Sequence, residues 1–219
     1  MYSFGQRSDM SIVDEPLYAH YLAKTDVDHP MKQEILDSQS TDFQEVVENV
    51  VMADYITPHV FFKQMSHHLM NENKSFLLSC ENIILIREPR EMINSFAKVI
   101  TKPSIIDLGL LNSLEIYNYL VDQGKKPIVL DSNDLLKNPK TTLGRLCTLL
   151  SIDFEDNMLQ WEAGKREEDG VWAPHWYANV HKSRGFKPYE KKEIFLEDKF
   201  QALYKSCLPI YNKLKSVSI

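Results

Sequence analysis

Short apolar runs alternate along the chain with longer segments whose apolar residues recur at helical spacing. Met10 to Val13 is an apolar run ending at Asp14-Glu15-Pro16. Proline removes a donor and cannot continue a central ladder, so the run predicts a buried strand with acids at its carboxyl end. Leu17 to Lys24, Met31 to Ser38 and Phe43 to Met52 predict helices, the last with Phe43, Val46, Val47 and Val50 on one face. His59 to Lys63, Asn82 to Arg87 and Pro127 to Asp131 are β-branched or aromatic runs bounded by polar or turn residues, and predict three more strands. Pro89 in a first-turn position opens a helix to about Ile100, and Ser104 to Asp122 carries Leu110, Leu114, Tyr117 and Val121 along one stripe. Thr141 to Leu150 and Glu190 to Lys215 complete the helices; the latter turns Phe200, Leu203, Tyr204, Cys207 and Tyr211 inward and contains Pro209 as a kink. Met1 to Phe4 reads as the last turn of a helix that Gly5 stops. Strands separated by helices require crossovers, and crossovers give a mainly parallel sheet covered on both faces, so the fold class is α/β.

Composition narrows the class without changing it. The 219 residues are 43% apolar and 26% charged, with a formal net charge of −6, as expected of a soluble globular chain forming one domain over 1–219. Cys80, Cys147 and Cys207 are odd in number and show no CxxC spacing, which predicts neither a disulfide framework nor a zinc site and favours a reducing, cytoplasmic setting. No apolar run approaches the roughly 18 residues of a membrane span. The acidic balance argues against nucleic acid as a partner, yet allows one local cationic pocket. Oligomeric state is left open.

In open parallel α/β sheets ligands bind beyond the carboxyl ends of the strands. Those positions hold Asp14-Glu15-Pro16, Lys63-Gln64-Met65-Ser66-His67-His68, Arg87-Glu88-Pro89 and Asp131-Ser132-Asn133-Asp134. Arg87 offers a planar fork to an anion beside a helix start, and Ser95 adds a hydroxyl. The competing reading pairs Arg87 with a carboxylate and turns Ser95 to a helix contact.

Arg87, Pro89 and Ser95 after an apolar strand form an R-x-P-x-x-x-x-x-S pattern. It resembles the 3′-phosphate motif of sulfotransferases that use 3′-phosphoadenosine 5′-phosphosulfate (PAPS). The strings Ser11 to Ala19 and Asp169 to Tyr177 resemble bacterial sulfotransferase-like P-loop proteins, related to a domain sometimes found beside aminotransferase-like domains. The resemblance covers nearly the whole chain. It implies a three-layer α/β/α, P-loop NTPase-like fold, PAPS as co-substrate without a metal, and Arg87 and Ser95 on the 3′-phosphate. Ser183, Arg184 and Gly185 are weakly similar to the late basic, glycine-containing loop that closes over that phosphate. Lys63 resembles the lysine of a K-T-H segment near the transferring sulfuryl group, although Met65 stands where the histidine would be. One departure matters. The glycine- and hydroxyl-rich loop that cradles the 5′-phosphosulfate is not among these residues, so the expectation is a chain whose first strand and phosphosulfate loop are missing, through a start assigned at an internal methionine or a true truncation, and whose transfer is impaired.

Sulfuryl transfer needs a base near the acceptor. His67 is one candidate, if Met65 begins a short helix; a surface or capping His67–His68 pair is the competing reading. Glu15 is a second candidate, with a buried ion pair to Lys63 or Arg7 as its alternative. Adjacent histidines without further ligands do not make a metal site. Trp172 and Trp176 line a ligand pocket or belong to the core, and His175 and His181 are left unassigned. The expected activity is sulfuryl transfer from PAPS to a hydroxyl or amine of an unidentified small acceptor. A non-catalytic nucleotide-binding or interaction module is the alternative, and an ATP-using kinase relative is a third, disfavoured because ATP lacks a 3′-phosphate.

Overall fold

The computed structural model describes every residue except Asp28, Val99, Thr101 and Lys192. In chain order the principal elements are β1 (Met10–Asp14), α1 (Tyr18–Ala23), α2 (Lys32–Ser38), α3 (Phe43–Val46), β2 (His59–Lys63), β3 (Ile83–Ile86), α4 (Pro89–Phe96), α5 (Leu110–Asp122), β4 (Ile128–Asp131), α6 (Ser132–Lys137), α7 (Pro139–Leu149), α8 (Ala173–Trp176) and α9 (Gln201–Lys215). Among the described residues these strands form two parallel pairs, β1 with β2 and β3 with β4. The class is therefore α/β with parallel strands. The chain divides into two compact units, Met1–Glu72 with Glu155–Lys187, and Asn73–Phe154 with Pro188–Ile219.

In the first unit β1 and β2 run in register, Met10 opposite His59 and Asp14 opposite Lys63, so the two strands end side by side on charged residues. The core beside them is aromatic: Tyr18, Tyr21 and Leu22 of α1 and Ile35 of α2 pack with Trp172, Ala173 and Tyr177 around α8. Trp172 is 1% exposed, which assigns it to packing. Gly170 is fixed by the same ring, because a Cβ there would lie 2.2 Å from Trp172. α3 continues as a π-helical turn, Val47–Val51, so the predicted helix over 43–52 is present but widened to i→i+5 bonding at its end.

In the second unit all four residues of β4 are buried, and Ser218 bridges to Val129 along β4. Helix α9 packs against α4, α5 and both strands, with Cys207 and Leu214 buried on its inner face. On β3, Ile84 and Ile86 are buried on one face, while on the other Ile83 is half-buried and Leu85 is 60% exposed, as successive strand residues face opposite sides.

Three other boundaries differ from the sequence expectation. Gly5 does not stop a helix: it lies inside the 3-10 turn Phe4–Gln6, its amide bonded to the Met1 carbonyl at 3.0 Å. The helix expected from Ser104 begins at Leu110, behind Gly109 in the left-handed region at φ 65°. The helix expected from Glu190 begins only with the 3-10 turn Asp198–Phe200 leading into α9, and Lys192 of that segment lies outside the described residues, as does Val99 near the expected end of α4.

Two glycine substitutions should move stability in opposite directions. Gly170→Ala forces a methyl into the immobile Trp172 ring and should cost about 1–3 kcal/mol. Gly144→Ala lies within α7 with nothing inside 4 Å of the new methyl and should add about 0.5–1 kcal/mol. Urea unfolding of the two variants checks both signs.

Candidate functional site

The carboxyl ends of β1 and β2 hold a buried polar cluster. A strand throws consecutive side chains to opposite faces, so Asp14 and Glu15 would diverge if β1 continued. It does not: Glu15 adopts φ 43°, in the left-handed region that costs a non-glycine residue about 1–3 kcal/mol. Three backbone bonds hold it there. The Glu15 amide donates to the Lys63 carbonyl at 2.7 Å, and the Glu15 carbonyl accepts from the Tyr18 amide at 3.0 Å and the Gln39 side chain at 3.1 Å. Both carboxylates consequently reach Lys63 Nζ, Asp14 Oδ1 at 3.5 Å and Glu15 Oε1 in direct hydrogen-bonded contact. Of the alternatives for Glu15, the ion pair to Lys63 is the one formed, and Arg7 instead binds Asp9 at 2.7 Å and Glu155 at 3.3 Å.

Tyr177 completes the cluster. Lys63 Nζ donates to its hydroxyl at 2.8 Å, and that hydroxyl faces both Asp14 carboxylate oxygens, at 2.9 and 2.8 Å. Burial pushes the Lys63 ammonium below its usual range, with Asp14 opposing the shift. Burial, followed by the Asp14 charge, pushes the Tyr177 phenol far up, so the hydroxyl stays protonated as a donor. The Tyr177 contribution was not legible in the sequence, where it stood only as one aromatic in a dense string.

His68 is 1% exposed, its ring stacked between Tyr18 and Tyr21 at centroid distances of 4.5 and 4.8 Å. It is no surface residue, and its Nδ1 stands 3.7 Å from Glu15 Oε2 without a hydrogen bond. Burial holds His68 well below the usual histidine range, with the neighbouring His67 acting the same way. His67 shares the 3-10 turn Ser66–Leu69, half-buried, edge-on to Tyr21 at 5.1 Å.

In the same unit Ser183 and Arg184 are engaged locally. The Ser183 hydroxyl donates to the Val180 carbonyl at 2.6 Å and accepts from Trp161 Nε1 at 2.9 Å, and the exposed Arg184 pairs with Glu162 at 3.3 Å. Gly185, at φ 155°, sits where a Cβ would be 2.8 Å from the Leu159 carbonyl oxygen.

In the second unit Arg87 follows β3 and Pro89 starts α4, with the Glu88 carboxylate capping the Glu91 amide at 3.0 Å. The Arg87 side chain is 47% exposed, its Nε on Glu91 Oε2 at 3.1 Å. Its terminal nitrogens and the exposed Ser95 hydroxyl have no partner among the described residues. That leaves guanidinium donors for an anion, with Glu91 as a resident competitor. Beyond the ends of β3 and β4 lies an open cleft of about 570 Å³ lined by Glu88, Arg90, Glu91 and Asn133 together with Tyr189, Lys191, Glu193, Ile194 and Phe195; Arg87 is not among these. Among the described residues no group of three histidine, cysteine, aspartate or glutamate side chains is placed to hold a metal ion, and no helix is long and apolar enough to cross a membrane.

The depressed His68 gives a pH prediction. The unfolded chain takes up this proton near pH 6.5 while the folded chain refuses it until much lower, so the unfolded state binds more protons and stability falls as pH drops below about 6.5. The contribution has a limiting slope of about 1.4 kcal/mol per pH unit. Urea unfolding between pH 7 and 5 should show a shallower pH dependence in His68→Phe than in the unsubstituted protein; equal slopes would refute it.

Two proteins of Arabidopsis thaliana, branched-chain-amino-acid aminotransferase-like proteins 2 and 1, are 39% identical over 216 residues and 40% identical over 218 residues. These matches cover 98% and 99% of this chain but only 38% and 39% of the relatives, so the chain spans well under half of their length. A solved sulfotransferase domain from the curacin biosynthetic pathway is similar at a TM-score of 0.47 and 17% identity, over 87% of this chain and 77% of that one. The family model described as a sulfotransferase domain matches residues 1–218, and the chain belongs to that family.

Proposed function

We propose that the protein transfers a sulfuryl group from PAPS to a hydroxyl or amine of a small acceptor. The observation that carries this reading is the buried cluster of Lys63, Asp14, Glu15 and Tyr177 at the ends of a parallel strand pair in a chain of the sulfotransferase family. Transfer moves negative charge from sulfur to a phosphate oxygen. A preorganised ammonium in a site of low polarity stabilises such developing charge far better than one in water. Lys63 has that character, being desolvated and held from three sides. Glu15, as its counter-ion, has the composition of a base but gives up the ion pair if it takes a proton.

In the second unit we assign the 3′-phosphate of the donor to Arg87 and Ser95. The support is the unpartnered guanidinium nitrogens and hydroxyl beside the start of α4. Ser183, Arg184 and Gly185 are weaker candidates for the same phosphate, since Ser183 and Arg184 are already engaged and Gly185 has a packing reason to be glycine. A module that binds the nucleotide without transferring from it is the second reading, favoured by the tie between Glu15 and Lys63.

Calorimetric titration with 3′-phosphoadenosine 5′-phosphate tests the assignment. Arg87→Ala should weaken binding at least about tenfold, as expected for a charge-assisted hydrogen bond. Glu91→Gln, which removes the competitor, should tighten it a few-fold, and ADP should bind more weakly than the 3′-phosphorylated nucleotide. Equal affinity of Arg87→Ala and the unsubstituted protein would sink the assignment.

A further inference from the structure

Beside the Lys63 cluster, in the same unit, lies another buried carboxylate. Asp169 has a side chain 0% exposed. The Tyr2 hydroxyl approaches its two oxygens at 2.9 and 2.8 Å, and the Arg166 backbone N–H reaches Oδ2 at 2.9 Å. His181 Nε2 meets the same oxygen at 2.9 Å. The tyrosine hydroxyl and the amide are neutral donors, so the imidazole is the hydrogen-bonded group able to bring a positive charge to Asp169. An ionised carboxylate only accepts. The hydrogen therefore sits on Nε2, and the basic lone pair of His181 is on Nδ1, which has no partner among the described residues.

This pair is joined to the Lys63 cluster at two points. The His181 amide bonds the Tyr177 carbonyl at 2.8 Å, with the two rings edge to face at 6.1 Å, and the Gly170 amide next to Asp169 donates to Asp14 Oδ2 at 3.2 Å. The alternatives are worse placed to take a proton. Glu15 is the counter-ion of Lys63, and His68 is enclosed between two tyrosine rings, whereas the His181 side chain is 20% exposed.

We propose that His181, oriented by Asp169, is the proton acceptor of the transfer, an inference that rests on the sulfuryl-transfer reading above. The acceptor hydroxyl gives its proton to His181 Nδ1 as its oxygen forms the new bond to sulfur. The bond from sulfur to the 5′-phosphate oxygen breaks, and its electron pair leaves on 3′-phosphoadenosine 5′-phosphate. The imidazolium so formed is offset by Asp169, which is a positioning residue. The groups around this pair include Tyr2, Arg166, whose guanidinium lies 4.9 Å from the Tyr2 ring centroid, Tyr177, and the Lys63 ammonium, which feels the Asp169 charge.

Three measurements on the intact protein test it: histidine nitrogen NMR, sulfate release from PAPS with water as acceptor, and titration with 3′-phosphoadenosine 5′-phosphate. The unsubstituted protein should show His181 as the Nε2–H tautomer. His181→Gln should lose about 10²- to 10⁴-fold in sulfate release, together with the acidic limb of its pH profile, at unchanged nucleotide affinity. Asp169→Asn should lose at least tenfold, also at unchanged affinity. An Nδ1–H tautomer in the unsubstituted protein, or sulfate release by His181→Gln within threefold of it, would overturn the assignment of His181 while leaving the donor reading intact. Failure of the unsubstituted protein to bind the nucleotide would overturn the donor reading and the proton-acceptor role with it.

Discussion

A partly desolvated ammonium organises the first unit. Lys63, its side chain 27% exposed, gives up much of its hydration at the end of β2, a step that costs free energy unless opposite charges and hydrogen bonds replace that hydration. Two adjacent carboxylates and a phenol do so, and meeting that requirement explains several otherwise separate features. The chain turns left-handed at Glu15 because both acids have to face the same way. Tyr177 is pinned at the end of α8 because its hydroxyl serves Asp14 and Lys63 at once, and Trp172 is walled in beneath it with its indole N–H 3.4 Å from that hydroxyl. Burial and the nearby acids also push Tyr2 and Tyr177 upward, which keeps both as hydrogen-bond donors.

The second unit repeats the device with different parts. Asp131, at the end of β4, is fully buried and caps α6 through the amides of Asn133 and Asp134 at 2.8 and 3.2 Å. Its other oxygen accepts the Tyr211 hydroxyl at 2.7 Å, with Lys215 at 3.4 Å. In both units, then, a strand-end aspartate is satisfied by a tyrosine and a lysine. The tyrosine in each case comes from far along the chain, Tyr177 for Asp14 and Tyr211 for Asp131. A parallel pair leaves polar side chains converging where its strands end, and distant donors are the means of closing that end without exposing it.

What the sequence made legible follows from how local each signal is. β2 was read to the residue, since an apolar run bounded by Pro58 and Gln64 carries its own limits, and the strand-end positions of Glu15, Lys63 and Arg87 came with the strands. The onset of α9 and of α5 was misplaced because the segments ahead of them carry helix-compatible residues whose conformation is settled by tertiary contacts. Asp14 was visible as an acid but not as the partner of Lys63, since register between β1 and β2 is a long-range property. Asp169, Tyr177 and His181 contribute from stretches with almost no regular structure, where no periodicity announces which way a side chain faces. Their signal was the density of aromatic and polar residues between Asp169 and His181 and, for Asp169 to Tyr177, the family resemblance of the string, neither of which says what each side chain contacts.

The left-handed backbone at Glu15 has an evolutionary consequence. Glycine would occupy that conformation without strain and asparagine with little, yet neither supplies the carboxylate that neutralises Lys63. Selection for a more robust fold and selection for the charged cluster therefore pull on this one codon in opposite directions. A relative carrying glycine there would mark a lineage in which the demand for the cluster had lapsed.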